Sequence, residues 1–345
     1  MDTERVLLHA ESYGTLSTPA FEAVEAAART SAETKSAGFA VGVIGATTQP
    51  ALDAVAASGA SRFFAAEHPE LAQSRYASDA AAAEAVCRAS GASLIIAPMT
   101  SRWARALPGV AHRLGGQIDT HVTGAGVAGG VVSVNRWFYR QRMEGVLTRA
   151  KRPWIILIDP GAVSAWAGPA GSASAEHVAV EIGPALTRTR VAGIEAPPAE
   201  QQTIRPDAEL LFVAGAGWTK KQADGHVHSA EAEALILDFL RASRASLGSS
   251  KSLVDLSGEG HSVLQFMSHL NQVGQTGSTP RHPKGLAACC HGEEPHVVGW
   301  RFITERRAIN LDPNCGWARG KADVLYVADA FAIMKKVNDL LAGGR

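Results

Sequence analysis

Short apolar runs alternate with alanine-rich helical stretches along the first half of the chain. Residues 6–8, 39–44 and 93–97 have the length and the branched composition of buried strands. Helix-like segments such as 19–26 and 79–90 separate them. Strands that alternate with helices in this way are typical of a parallel sheet with helices on its faces. The pattern therefore predicts an α/β fold for this half.

The spacing of the apolar runs changes after Gln117. Residues 118–122, 130–134 and 137–139 follow one another closely and are separated by glycine-containing turns. Such closely spaced runs predict added strands of a mixed sheet. A further buried strand is predicted at 154–158.

Residues 160–207 are rich in Ala, Gly, Pro and Ser and predict a linker or a loosely packed excursion. A second α/β series follows this segment. Its predicted strands are 210–214, 252–255, 286–290, 308–310 and 324–327, and its predicted helices are 229–243 and 330–341. We therefore expect two α/β domains, 1–205 and 206–345, each with a mainly parallel sheet covered by helices.

Composition excludes several classes of protein. Among 345 residues, 33 Lys and Arg balance 33 Asp and Glu, so net charge gives no reason to expect nucleic acid as a partner. No run approaches the roughly 20 apolar residues of a membrane span, and no signal peptide is visible, so no membrane insertion is expected. Four cysteines do not make a secreted disulfide framework in a chain of this length. We expect a cytoplasmic protein.

The first candidate motif, Gly215-Ala216-Gly217-Trp218, follows the strand predicted at 210–214. It has the start of a dinucleotide-binding fingerprint, but Lys220 stands where the third glycine is expected. A tight turn from strand to helix explains the two glycines at least as well. A nicotinamide enzyme therefore ranks last among the functions considered, since no acid is placed for the ribose either.

The second candidate motif is the loop 272–277, which reads Gln-Val-Gly-Gln-Thr-Gly. Its glycines allow backbone N–H groups to approach an anion or a ring edge, and Gln275 and Thr276 add hydrogen-bonding side chains. By composition alone, an ordinary polar turn explains this loop as well as a ligand-binding loop does.

Two further segments follow predicted strands, which is where ligands of open α/β sheets bind. Residues 289–296 contain Cys, His and Glu side chains, and Asn310-Leu311-Asp312 closes the next strand. The cysteines match no standard zinc or iron–sulfur spacing, so no metal site is expected and core packing explains them better. Asn310 and Asp312 are also common turn residues.

Taken in order, these segments resemble the C-terminal domain of the electron transfer flavoprotein alpha subunit family. That family has Ala-Ser-Arg-Ala-Ala-Val-Asp, Gln-Val-Gly-Gln-Thr-Gly, Gly-Ile-Ser-Gly-Ala-Ile-Gln-His, Asn-Lys-Asp and Ala-Asp-Tyr-Gly segments. The corresponding residues here are 249–255, 272–277, 289–296, 310–312 and 322–325, of which 272–277 is intact. The first half is also similar, through Ala97-Pro98, a Leu-Pro within 101–113, and Gly116-Gln117-Ile118.

The resemblance implies a Rossmann-like C-terminal domain that binds FAD. Thr276 would lie near the flavin N5, His296 would donate to the C2 carbonyl, and Lys251 would replace an arginine over the ring. Ser250, Gln275, Gly277 and Asn310 would hold the ribityl chain and pyrophosphate, and Asp323 the adenine end. His291, Gly292 and Asp312 complete the candidate set.

The resemblance also implies partners. A beta-type subunit would pair with this chain, a flavoprotein dehydrogenase would donate electrons, and a quinone-reductase-type protein would accept them. Several departures favour an alternative, a structural subunit that kept the fold and lost the flavin. Lys251 lacks the planar guanidinium, Pro295 replaces a glutamine, and Glu293 and Glu294 replace small apolar residues.

Overall fold

The computed structural model describes residues 4–36, 38–139, 143–193, 204–205, 208–255, 264–273, 282–289, 303–315 and 322–343. The chain divides into two compact units, Met1–Ile194 and Glu195–Arg345. The predicted domain boundary at residue 205 adjoins residues outside the described ranges and stays a prediction.

The described residues of the first unit form one nine-stranded sheet with the order β7-β6-β5-β8-β4-β1-β2-β3-β9. All neighbouring strands are parallel except β5–β6 and β6–β7, which are antiparallel. The strands are β1 (Val6–Ser12), β2 (Phe39–Gly45), β3 (Arg62–Glu67), β4 (Leu94–Pro98), β5 (Gln117–Ala128), β6 (Val131–Phe138), β7 (Met143–Thr148), β8 (Trp154–Ile158) and β9 (Glu176–His177). The run predicted at 118–122 is confirmed as part of β5, and the runs at 130–134 and 137–139 belong to one strand, β6. The sequence analysis did not predict β7, which completes the antiparallel extension β5 to β7.

Helices cover both faces of this sheet. They are α1 (Thr18–Glu33), α2 (Gln49–Ala54), α3 (Tyr76–Ser90) and α4 (Ser101–Arg113). Val24 and Leu52 from α1 and α2 join the core on one face, and Val86 and Trp103 from α3 and α4 join the core on the other. Because the central strands are buried on both faces, they read as continuous apolar runs in the sequence.

A buried carboxylate fastens the antiparallel extension to the parallel part of the sheet. Asp119 on β5 is fully buried and accepts hydrogen bonds from Arg149, from Arg136 on β6 and from the Trp154 indole on β8. A buried charge is tolerated where opposite charges and hydrogen bonds surround it. Asp119 therefore joins strands that are far apart in the chain.

Residues 160–193, the first part of the predicted linker, pack against the first unit. β9 pairs in parallel with β3, and Val178, Val180 and Ile182 pack on the core that α3 and α4 cover. The alanine- and glycine-rich segment therefore adds an edge strand and apolar contacts to this unit.

The described residues of the second unit form a five-stranded parallel sheet with the order β11-β10-β12-β13-β14. Its strands are β10 (Leu210–Ala214), β11 (Ser246–Ser249), β12 (Lys284–Ala288), β13 (Glu305–Asn310) and β14 (Val324–Val327). Its helices are α5 (Ser229–Ser243), α6 (Lys251–Asp255) and α7 (Ala330–Gly343). Helices α5 and α7 pack together on one face, where Phe239 and Met334 are buried. The predicted fold class, two α/β domains with mainly parallel sheets, is confirmed.

One predicted element is wrong. Residues 252–255, expected to be a strand, form most of the short helix α6, and the strand lies earlier at Ser246–Ser249. Leu253 and Val254 are buried in the helix. Residues 252–255 contain only two adjacent apolar residues, Leu253 and Val254, and so short a run has no periodicity that distinguishes a strand from a helix.

Candidate functional site

The candidate site lies where the carboxyl ends of the parallel strands of the five-stranded sheet meet. We call this side of the sheet its carboxyl edge. In this sheet the connections reverse direction between β10 and β12, because β11 lies on one side of β10 and all later strands on the other. Crevices at such reversals are where open α/β sheets bind ligands. The residues that follow the strands at this edge are therefore the candidates to examine.

The loop after β10 packs tightly against the end of β12. Gly217 N donates to the Cys289 carbonyl at 2.9 Å, and a Cβ atom on Gly217 would lie 2.8 Å from Cys289 Cβ. Cys289 has a positive φ of 57°. Burial, with a smaller effect of the Asp329 charge, raises the pKa of the Cys289 thiol to about 12. The second glycine of the partial fingerprint therefore permits a close approach of two loops.

Ser249 is the last residue of β11, and Ser250 follows it beside this loop. Ser250 N donates to the Ala214 carbonyl at 2.8 Å, and Ser250 Oγ accepts from Leu253 N at 3.3 Å. Ser249 Oγ is buried and has no hydrogen-bond partner among the described residues. This arrangement leaves buried hydroxyl groups at the carboxyl edge.

Lys251 is the first residue of α6 and follows these serines directly. Its Nζ lies 3.4 Å from Asp255 Oδ2, one helical turn later, and its side chain is 48% exposed. Asp255 also lies 3.7 Å from His269 Nδ1, measured at Oδ1. A cation therefore lies at this edge, partly screened by water and by a carboxylate.

The intact loop 272–277 starts next to β11. Val273 N donates to the Ser249 carbonyl at 2.9 Å, and Gln272 and Val273 are buried. Six predicted site residues lie outside the described residues: Gln275, Thr276, Gly277, His291, Gly292 and His296. The start of the loop thus lies beside Ser249 and Ser250, and the six residues stay predictions.

Asn310 and Asp312 form consecutive turns at the end of β13. Asn310 Oδ1 accepts from Asp312 N at 2.9 Å, and Asp312 Oδ1 accepts from Asn314 N at 2.8 Å. Asn310 also lines a cavity of about 220 Å³ at the carboxyl edge. Its other lining residues are Gly217, Lys220, Lys221, Gln222, Cys289, Leu311, Ala328, Asp329, Ala330 and Phe331.

Asp323 lies on the other side of the same sheet, where the strands begin. It precedes β14. Its carboxylate accepts hydrogen bonds from the backbone N–H of Arg306 at 2.7 Å and from the Arg306 guanidinium at 2.9 Å, near the start of β13. These contacts hold the pKa of Asp323 below its usual range, with the Arg306 side chain as the largest cause. The structure therefore does not bring Asp323 together with Ser250 and Asn310.

Sequence reasoning did not select Asp329, which lies at the carboxyl edge of the sheet. An Ala-Asp dipeptide lies on each side of β14, at 322–323 before it and at 328–329 after it. Asp329 lines the cavity and its Oδ1 accepts from Ala332 N at 2.8 Å at the start of α7. Of the two that flank the strand predicted at 324–327, only Ala328-Asp329 follows it, and this position could have indicated Asp329.

The described residues contain neither a metal-binding cluster nor a membrane-spanning helix. No group of three or more His, Cys, Asp or Glu side chains in that part of the chain is arranged to hold a metal ion. None of its helices is both long and apolar enough to cross a membrane.

Comparison with known proteins identifies the first unit. A search of curated proteins finds no match to the chain. The model of the electron transfer flavoprotein domain matches residues 6–185, just over half of the chain, from β1 through β9. The chain therefore belongs to the electron transfer flavoprotein family.

Proposed function

We propose that this chain is an alpha-type subunit that binds FAD at the carboxyl edge of its five-stranded sheet. One observation carries the proposal. Ser250, Asn310 and the start of the loop 272–277 lie at the edge where the strand order reverses, in a chain whose first unit belongs to this family. Family members commonly bind flavin, and this edge is the expected place for a dinucleotide.

The described residues at this edge fit such a group. Ser249 Oγ is buried without a partner in the described part of the chain, and a dinucleotide carries many groups that could pair with it. Ser250 and Asn310 add a hydroxyl and an amide, and Lys251 adds a positive charge. Bound FAD would supply the capacity to accept a pair of electrons and release them singly.

The protein's part in this chemistry is electrostatic. Negative charge gathers on the N1 and C2=O side of a flavin as it is reduced, and nearby cations and N–H donors stabilise it. By resemblance, Lys251 would lie over the ring, Thr276 would contact N5 and His296 would donate to C2=O. Asp255 lies 3.4 Å from Lys251 Nζ and moderates its effect, because it offsets part of the charge. We expect Asp329, rather than Asp323, at the adenine end.

The proposed partner is a beta-type subunit, with a flavoprotein dehydrogenase as donor and a quinone-reductase-type acceptor. The antiparallel extension supports a subunit contact, since Tyr139 is 75% and Val146 is 67% exposed there. A cytoplasmic location is part of the proposal, and it agrees with the thiols of Cys87 and Cys289, which form no disulfide with a described residue.

Purification of the full chain from its source, with the subunits that accompany it, tests the proposal. We expect a yellow complex that releases FAD on denaturation and contains a beta-type chain, identified by mass spectrometry. A colourless complex of the same subunits, free of flavin at saturating added FAD, would contradict FAD binding. That outcome would instead support the structural subunit, which the replacements at 293–295 favour.

A further inference from the structure

Two adjacent lysines line the cavity at the carboxyl edge. Lys220 and Lys221 belong to the loop after β10 and line this cavity together with Asn310 and Asp329. Both are exposed, and neither forms an ion pair with any of the described residues. Two unpaired positive charges therefore lie at the edge where a dinucleotide is expected.

The backbone after β10 explains why side-chain charge is needed here. In a doubly wound domain the helix after the first strand usually starts at once, and its N-terminal N–H groups bind phosphate. Here β10 leads into a four-residue 3-10 helix, Ala216–Thr219, and the long helix α5 starts only at Ser229. The N-terminus of a long helix therefore does not follow directly from this strand.

The loop that carries the lysines is anchored by its backbone. Gln222 Nε2 donates to the carbonyls of Gly217 at 3.1 Å and Lys220 at 2.6 Å, and Lys221 pairs with Val227 in an antiparallel bridge. Trp218, just before the lysines, is fully buried in the core. The backbone of both lysines is thus held in place, while their side chains remain exposed at the cavity.

The acidic residue in the cavity wall does not neutralise these lysines in the structure. Asp329 Oδ1 is occupied by Ala332 N at 2.8 Å, and the carboxylate caps α7, where the helix dipole favours a negative charge. The charged residues that line the cavity are Lys220, Lys221 and Asp329, which leaves a net positive charge. An anionic group fits this surface better than a neutral or a cationic one.

We propose that Lys220 and Lys221 bind the phosphate groups of the dinucleotide. The assignment rests on the proposed function, because it presumes that a dinucleotide binds at this edge. Ammonium groups form charge-assisted hydrogen bonds with phosphate oxygens and need no fixed orientation to do so. The pair would supply the positive charge that the N-terminus of a longer helix provides elsewhere.

Flavin binding to the flavin-stripped full chain, with its co-purified subunit, tests this role. FAD carries the phosphates and riboflavin carries none, so the two probes separate phosphate recognition from ring binding. We expect the dissociation constant of FAD to rise roughly fivefold to tenfold in K220Q or K221Q and further in the double variant, because each loses one charge-assisted contact. The affinity for riboflavin should stay within twofold. The salt dependence of FAD binding should also become weaker in the double variant.

Lys284→Gln is the matched control. Lys284 is an exposed lysine of the same sheet, but it starts β12 at the opposite edge. A double variant that binds FAD within twofold of the parent would overturn the assignment. So would an equal loss of FAD and riboflavin, or a loss of FAD affinity in K284Q as large as in K220Q.

The outcomes separate this inference from the proposed function. If the parent binds FAD and the lysine variants bind it equally well, only the lysine assignment fails. If the parent binds NAD instead of FAD and the double variant loses it, the flavin proposal fails and the lysines still bind phosphate. If the parent binds no dinucleotide, both fail.

Discussion

Replacing Asp119 by asparagine tests whether one buried carboxylate holds the antiparallel extension in place. The Asp119 carboxylate is fully buried. It accepts from Arg149 Nε and a terminal Arg149 nitrogen at 2.9 Å each, from Arg136 at 3.2 Å and from Trp154 Nε1 at 3.0 Å. Asparagine keeps the shape but turns one acceptor oxygen into a donor, so at least one of these donors then faces an NH2 group.

The loss of stability in Asp119→Asn depends on how deeply Asp119 and its arginine partners are buried. Removing one partner of a buried charge pair costs about 3–5 kcal/mol, because the other charge is left unpaired. Here the side chains of Arg136 and Arg149 are 26% and 33% exposed, so they partly regain water. We therefore expect Asp119→Asn to lower the free energy of unfolding by about 3 kcal/mol, at the low end of that range.

Urea unfolding followed by tryptophan fluorescence measures this change. With a slope of about 2 kcal/mol per molar urea, the midpoint should fall by roughly 1.5 M. Glu144→Gln is the matched control, because Glu144 is an exposed carboxylate on the same extension that accepts from Asn135 at 3.1 Å. The control should change stability by less than about 0.5 kcal/mol.

The pH dependence gives a second test of Asp119. Burial raises the pKa of its carboxyl, but the hydrogen bonds and charges of Arg149, Trp154 and Arg136 outweigh burial and lower the pKa. Because the folded pKa lies below the unfolded value of about 3.9, the charge stabilises the fold above that pH and loses its effect as pH falls further. The difference between parent and variant should therefore shrink below about pH 4. A difference under 0.5 kcal/mol at pH 7, or one that stays constant down to pH 3, would refute the reasoning.

Three further predictions concern the proposed flavin site. Thr276→Ala should retain flavin but shift the flavin reduction potential by about 1 kcal/mol, the contribution of a neutral hydrogen bond. A reductive titration measures this shift, and an unchanged potential would contradict the contact with N5. Lys251→Met should make flavin reduction less favourable by about 1 kcal/mol, a modest value because the side chain is 48% exposed, whereas Lys251→Arg should not. Equal reduction potentials in the two variants would show that Lys251 does not face the flavin ring. Gly217→Ala should cost about 1–3 kcal/mol in thermal unfolding and reduce flavin retention, because the new Cβ meets Cys289 at 2.8 Å. Gly343→Ala, where a Cβ meets nothing within 4 Å, is its control, and similar losses in both would contradict the packing argument.

The sequence alone determined the fold class and most strands. Strands such as Leu94–Pro98 and Trp154–Ile158 are buried on both faces, so their continuous apolar runs report burial directly. The loop 272–277 was selected by its residue types alone, and its role in binding flavin stays a prediction. These features depend on local composition, which is why they could be predicted.

Tertiary structure decided which polar residues lie at the same edge. Ser246–Ser249 has little apolar character, yet it is a strand because it pairs with β10, and Gly248 allows Val273 to approach to within 2.7 Å of a Cβ position. The Ala-Asp dipeptides on the two sides of β14 have the same residue types, but the sheet puts Asp323 at the amino ends of the strands and Asp329 at the carboxyl ends. Strand direction and strand order decide at which ends of the strands a side chain lies. Long-range strand pairing sets both, and the residue type does not.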